Sequence, residues 1–286
     1  MKTLYTKTEC PKCHKHYDPA ERACPFCGEK NHLPERGASW DTTIPVGWGE
    51  ELALFLTGFA GFQLIAMVLV LLIQSLAKSA FIAEGLTGKG LTNAMQNFVS
   101  TSAYLTYVNI GAYIVLFVTM IFVLGRNIYR LNAMFKKGST YWGFLIGIGM
   151  MIITSILTIL LKASDNNNES SVNSVESYAP LASLIVIGLV GPFCEELTYR
   201  VGLYNLLKRF NWIAALFLTA TIFTFIHFDF SNIASANEWR NVPISFAMGL
   251  ILTYTYEKFG FGASFLAHAT NNFLAVLLTI IASKIS

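Results

Sequence analysis

In the C-terminal half, six polar side chains stand at helical spacings inside otherwise apolar sequence. Glu195 and Glu196 are adjacent in the stretch GPFCEELTYR, and Arg200 follows Glu196 at i,i+4. On a helix that interval places the second carboxylate and the guanidinium on one face, where they can pair. Glu195 is rotated about 100° from its neighbour and is left for another task. A carboxylate poised between desolvation and a nearby guanidinium is suited to act as a general base. Further along, Phe223 and His227 in FTFIHF, and His268 and Asn272 in HATNN, repeat the i,i+4 interval. Imidazole can relay protons, bind a metal or donate to a developing oxyanion, and an asparagine beside it suits the last of these.

A second group lies at the other end of the chain. Cys10 and Cys13 in CPKC, and Cys24 and Cys27 in CPFCG, form C-x2-C-x10-C-x2-C. Each pair makes a knuckle aiming two thiolates at one ion, and four thiolates close a tetrahedral structural zinc site with no open position. Thiol redox and disulfides are the alternatives, and a cytosolic location disfavours the latter. Gly28 suits the tight turn after the second knuckle. His14 and His16 are spare donors, expected at the surface. A region this small builds little core, so the metal would fold it.

These groups must be positioned by membrane spans. Hydrophobic residues make up 54% of the chain and charged residues only 13%, where soluble domains carry about 25% charged. With a mean hydropathy of +0.51, the chain reads as a polytopic membrane protein. The N-terminus has no apolar h-region, so no cleavable signal is expected. Spans of about 20 apolar residues are predicted at Leu52–Ala77, Ser102–Gly125, Gly138–Leu161, Tyr178–Leu207, Asn211–Phe228, Asn241–Tyr256 (short) and Phe259–Ser283. The expected class is therefore all-α, a bundle of about seven transmembrane helices preceded by a small zinc ribbon. Residues 1–30 would be the ribbon-like module, 31–50 a polar linker and 51–286 the membrane domain. The stretch Ser79–Val99 reads as a loop, with an interfacial or re-entrant segment as the alternative. Arg126, Arg130, Lys136, Lys137, Lys208 and Arg209 lie inside if the N-terminus does, and the acidic loop after the third span lies outside.

Of the 17 acidic residues, only Glu195 and Glu196 fall within a predicted span, and Arg200 is the only basic one. Each charge at mid-membrane costs about 2.5 to 3.5 kcal/mol on insertion scales, which is tolerated where charges are paired and face a cavity. Singly, each histidine reads more readily as helix glue than as a catalytic group; convergence on three helices favours a site. Counted at ~1.5 Å per residue, Glu196, His227 and His268 lie about 18, 24 and 13 Å from the inner ends of their spans, a fair agreement only. Gly191-Pro192 is expected to loosen the helix before the glutamates. Cys194 reads as a packing residue.

The ordered set EELTYR, FTFIH and HATNN resembles the intramembrane proteases of the CAAX prenyl protease 2 and bacteriocin-processing (CPBP, or Abi) family, over roughly residues 140–283. The resemblance implies a peptidase with its site inside the bilayer, catalytic residues Glu195, Glu196, Arg200, His227, His268 and Asn272, and a membrane-associated protein or peptide as substrate. It assigns water activation to Glu195 and His227, support to Glu196 and Arg200, and oxyanion stabilisation to His268 and Asn272. Family members are often called metalloproteases, and a metal-free glutamate-activated water is also argued; His227, His268 and one or both of Glu195 and Glu196 could hold a catalytic divalent metal with an open position, while Asn272 and Arg200 suit electrostatic roles better than ligation. A multi-pass location in a bacterial cell membrane with a cytoplasmic N-terminus is expected, along with bacteriocin self-immunity or pheromone processing as family-level roles. The zinc module would face an unidentified cytosolic partner, and no nucleic acid is expected. The competing class is a non-catalytic scaffold, sensor or transporter that uses the polar cluster as glue.

Overall fold

The computed structural model describes residues 8–17, 23–29, 48–125, 140–164 and 167–285. Most of the expected linker and the basic residues Arg126, Arg130, Lys136 and Lys137 lie outside them. Among the described residues, the regular structure is helical apart from a two-residue antiparallel pair, β1 (Thr8–Glu9) with β2 (His16–Tyr17), in the cysteine module. The helices are α1 (Trp48–Ala83), α2 (Gly88–Val99), α3 (Ser102–Leu124), α4 (Thr140–Leu161), α5 (Asn167–Tyr178), α6 (Pro180–Lys208), α7 (Trp212–Ile226), α8 (Ala236–Phe259) and α9 (Phe261–Ile285).

All seven expected spans are helices, and α1, α3, α4, α6 and α9 are long and apolar enough to cross a bilayer alone. The other two fall short for physical reasons. Helix α7 has 15 residues, about 22 Å at ~1.5 Å per residue against a core of roughly 30 Å. Helix α8 begins with the polar turn ANEWRN and carries Pro243 inside it. The stretch read as a loop, Ser79–Val99, is helical over most of its length: α1 runs on to Ala83, and Gly88–Val99 forms α2. Its glycines weaken intrinsic helicity, but Phe98 packs on Phe81 and Tyr104 and fixes the helix against its neighbours. The acidic loop after α4 likewise contains α5.

Helix α6 is the axis of the bundle. More than half of its most apolar window is buried (56%), against none for α1. Leu197 through Tyr204 are all buried, on wide π-type turns. Leu197, Val201 and Tyr204 share a core with Leu54, Leu116, Met120, Tyr256 and Phe261, and Cys194 is fully buried among them as a packing residue. Helix α4 packs on α9 backbone to backbone. A Cβ at Gly143 would lie 2.3 Å from the Ala263 carbonyl oxygen, and one at Gly147 would lie 2.6 Å from that of Ala267. This small-xxx-small approach substitutes for a hydrophobic drive that lipid does not supply, and it seats the turn that carries Ser264 and His268. At its other end α6 is tied by polar contacts: Asn205 donates to the Tyr256 hydroxyl at 3.0 Å, Lys208 pairs with Glu257 at 3.3 Å, and Arg209 pairs with Glu51.

Glu176 on α5 is buried beside Thr279 of α9. One of its carboxylate oxygens lacks a hydrogen-bond partner among the described residues. Burial pushes this carboxyl up to about 7. A group raised in the folded state stabilises when protonated; its contribution is complete below the ordinary carboxylate range and is lost as pH rises through about 7. We expect the unfolding midpoint in detergent to fall between about pH 5 and about pH 8, and Glu176→Gln to flatten that slope.

Candidate intramembrane active site

Helix α6 carries the twin glutamates on a continuous helix through Gly191-Pro192, not on a broken one. The missing proline N–H is absorbed by a π-type turn at Val186–Val190, just before it. A second π-type segment, Leu197–Tyr204, follows the glutamates. Such wide turns are common at functional sites, where they re-aim side chains without ending the helix.

Glu196 is fully buried and fully engaged. Its Oε1 lies 3.0 Å from the Arg200 guanidinium and 2.9 Å from His268 Nδ1. The Ser264 hydroxyl donates to Oε2 and also lies 3.0 Å from the Leu252 carbonyl oxygen. Arg200, also fully buried, stacks its guanidinium over the Phe223 ring at 4.7 Å. Glu195 is the less enclosed of the two, with a side chain 17% exposed. It accepts from the Tyr113 hydroxyl at 3.3 Å and lies 3.8 Å from His268 Nε2. His268 therefore bridges the two carboxylates, one at each ring nitrogen.

His227 caps the C-terminal end of α7. Its Nδ1 sits 2.9 Å from the Phe223 carbonyl oxygen, which assigns the proton to Nδ1 and leaves Nε2 as a lone pair. Among the described residues it makes no hydrogen bond or ion pair with either glutamate. Its link to the cluster is the Phe223 ring, centred 4.9 Å from the His227 ring and 6.0 Å from that of His268. His227 also lines a small cavity with Thr224, Phe228, Glu238, Asn241, Val242 and Ser245. Asn272 lies one turn after His268 and accepts from Asn271 at 3.1 Å.

Of the six residues singled out in the sequence, four thus make direct contact and two flank them. Ser264 and Tyr113 were not singled out. Ser264 had a signal, standing four residues before His268 on the same face as Asn272. Tyr113 had none, being one of three tyrosines in a long apolar helix.

A catalytic metal does not fit this arrangement. Outside the cysteine module, no three donor atoms from His, Cys, Asp or Glu come together among the described residues. His268 has a carboxylate beside each nitrogen, and the Arg200 cation already occupies the place beside Glu196.

The cysteine module does fit a metal ion such as zinc. The four Sγ atoms of Cys10, Cys13, Cys24 and Cys27 lie within 4.8 Å of one another, and Cys10–Cys27 and Cys13–Cys24 are each 3.5 Å apart. Four thiolates at 2.3 Å from a tetrahedral ion are separated by ~3.8 Å, whereas a disulfide needs about 2.05 Å. The knuckles match each other: His14 N donates to the Cys10 carbonyl and Gly28 N to that of Cys24, both at 2.9 Å, with positive φ at His14 (54°) and Gly28 (71°). Burial opposes ionisation of Cys10, but the backbone N–H groups of Cys13 and Lys12 bring it down to about 6. For Cys27 the Glu29 N–H favours the thiolate, yet burial and the three neighbouring sulfurs push it up to about 12. Four thiols this close cannot all ionise without a cation among them.

Residues 177–274 match the family model described as type II CAAX prenyl endopeptidase Rce1-like. That segment contains all six site residues named above and neither Tyr113 nor the four cysteines of the N-terminal module. The UPF0177 protein YvdC of Lactococcus lactis subsp. lactis (strain IL1403) is 24% identical over 143 residues, 48% of this chain and 52% of that protein. The chain thus spans about half the length of the curated relative it matches. No solved structure matches.

Proposed function

We propose that this chain, whose residues 177–274 form a type II CAAX endopeptidase-like domain, is an intramembrane endopeptidase acting on membrane-associated proteins or peptides without a catalytic metal. The observation that carries the reading is the difference between the twin glutamates: Glu196 is sealed and fully bonded, while Glu195 keeps an open edge. In this reading Glu195 takes a proton from water, with His227 Nε2 as the second acceptor. The hydroxide adds to the scissile carbonyl. Glu196 and Arg200 hold His268, which with Asn272 stabilises the tetrahedral oxyanion. Collapse breaks the C–N bond, and the departing amine takes the proton from Glu195. The experiment is cleavage of quenched fluorescent peptides, prenylated and unprenylated, by wild type and Glu195→Gln in detergent micelles.

The catalytic core extends over about 140–283 and the ribbon-like module over 1–30, in a multi-pass protein of a bacterial membrane with its N-terminus in the cytosol. The module's ion is zinc, held for structure and facing a cytosolic partner, because four thiolates leave no open position. Full-length protein in detergent should carry one zinc. A chelator should remove it and collapse the module, while Cys10→Ser with Cys24→Ser should abolish uptake and leave the membrane helices folded. Unchanged zinc content in the double variant would overturn this assignment.

A further inference from the structure

Resting on the hydrolytic reading above, we infer that Tyr113 is a positioning residue for Glu195, supplied by a helix outside the family-matched segment. Tyr113 lies on α3, and its hydroxyl donates to Glu195 Oε1 at 3.3 Å. Three features make this an arranged contact. Its ring packs on Phe62 of α1 with centroids 5.0 Å apart, so it cannot swing freely. It lies against Gly191, one helical turn before Glu195, where an added Cβ would come within 3.3 Å of Tyr113 Cε1. Without that Cβ, the ring slides along α6 until the hydroxyl reaches the next turn. Finally, the hydroxyl takes Oε1, while Oε2 is the oxygen 3.8 Å from His268 Nε2. The Tyr113 bond therefore fixes the rotamer in which Oε2 faces the imidazole, and one carboxylate oxygen is held so that the other can work.

The site is then not complete within residues 177–274: α3 supplies a wall and a donor, and α1 braces that donor. A tyrosine hydroxyl is a neutral donor with no positive charge to quench the base, so it orients Glu195 without removing its ability to accept a proton.

The test is Tyr113→Phe, which keeps the ring contacts with Phe62 and Gly191 and removes the hydroxyl alone. Isotope-edited infrared spectra of labelled glutamate should show one carboxylate band move in this variant, the same band that Glu195→Gln deletes. Cleavage should lose about tenfold in kcat with KM unchanged, as expected for one hydrogen bond to a charged group. In a Glu195→Asp background, whose shortened carboxylate retreats from the hydroxyl, Tyr113→Phe should cost nothing further. An unmoved band, a wild-type kcat, or equal losses in both backgrounds would overturn the assignment. A moved band in a protein that cleaves no peptide would leave the contact standing and sink the hydrolytic reading instead.

Discussion

Glu195→Gln is expected to reduce peptide cleavage by about 10²- to 10⁴-fold, the usual cost of losing a general base, while yield and unfolding midpoint in detergent stay close to wild type. The two halves of that expectation come from different observations. The chemical half follows from Glu195 having an exposed edge and a shared imidazole. The stability half follows from what Glu195 does not hold: the buried ion pair to Arg200 and the Ser264 contact both belong to Glu196. Glutamine keeps the shape and can still accept from Tyr113, so little packing changes. A scaffold or transporter using these charges as helix glue gives the reverse pattern, because glue that is removed weakens the bundle. Loss of stability with no change in turnover, or no cleavage by wild type across the peptide set, would end the peptidase reading.

Much of this was legible in the sequence, and the parts that were not have identifiable causes. Charge is scarce in lipid, so Glu195, Glu196 and Arg200 stood out against an apolar background, and the i,i+4 interval placed Glu196 with Arg200. Hydropathy located the long spans because a helix facing lipid must be apolar over its length. It could not tell that α8 gains its first turn from ANEWRN, since tertiary contacts hold that turn, among them Trp239 donating to the Ile233 carbonyl and Asn241 to that of Ser164. Helix α2 was hidden by its glycines. The depth count suggested that Glu196 and His268 were about 5 Å out of level at ~1.5 Å per residue, yet they are in contact at 2.9 Å. The π-type turns between Glu196 and the end of α6 use more residues per turn, so the count overstated the distance. Tyr113 was beyond reach, because its role exists only once α3 lies against Gly191.

Arg200→Met is expected to destabilise the protein by about 3–5 kcal/mol, the cost of leaving one member of a buried ion pair uncompensated. Arg200 and Glu196 are both fully buried, and the contact between them is 3.0 Å. Beyond that ion-pair contact, the guanidinium has only the Phe223 face, and none of its three nitrogens has a hydrogen-bond partner among the described residues. A pair so poorly repaid for its desolvation is weak as glue, and replacing both charges by neutral groups of similar volume is often neutral for stability. The double variant Arg200→Met with Glu196→Gln should therefore recover most of the loss, since glutamine can still accept from His268 and Ser264. Activity should not recover with it, because the charge that holds His268 between two carboxylates is gone. Stability restored without turnover would mark the pair as part of the site. Full turnover in the double variant would reduce it to packing, and a single variant as stable as wild type would mean that Glu196 is not buried as a charge at all.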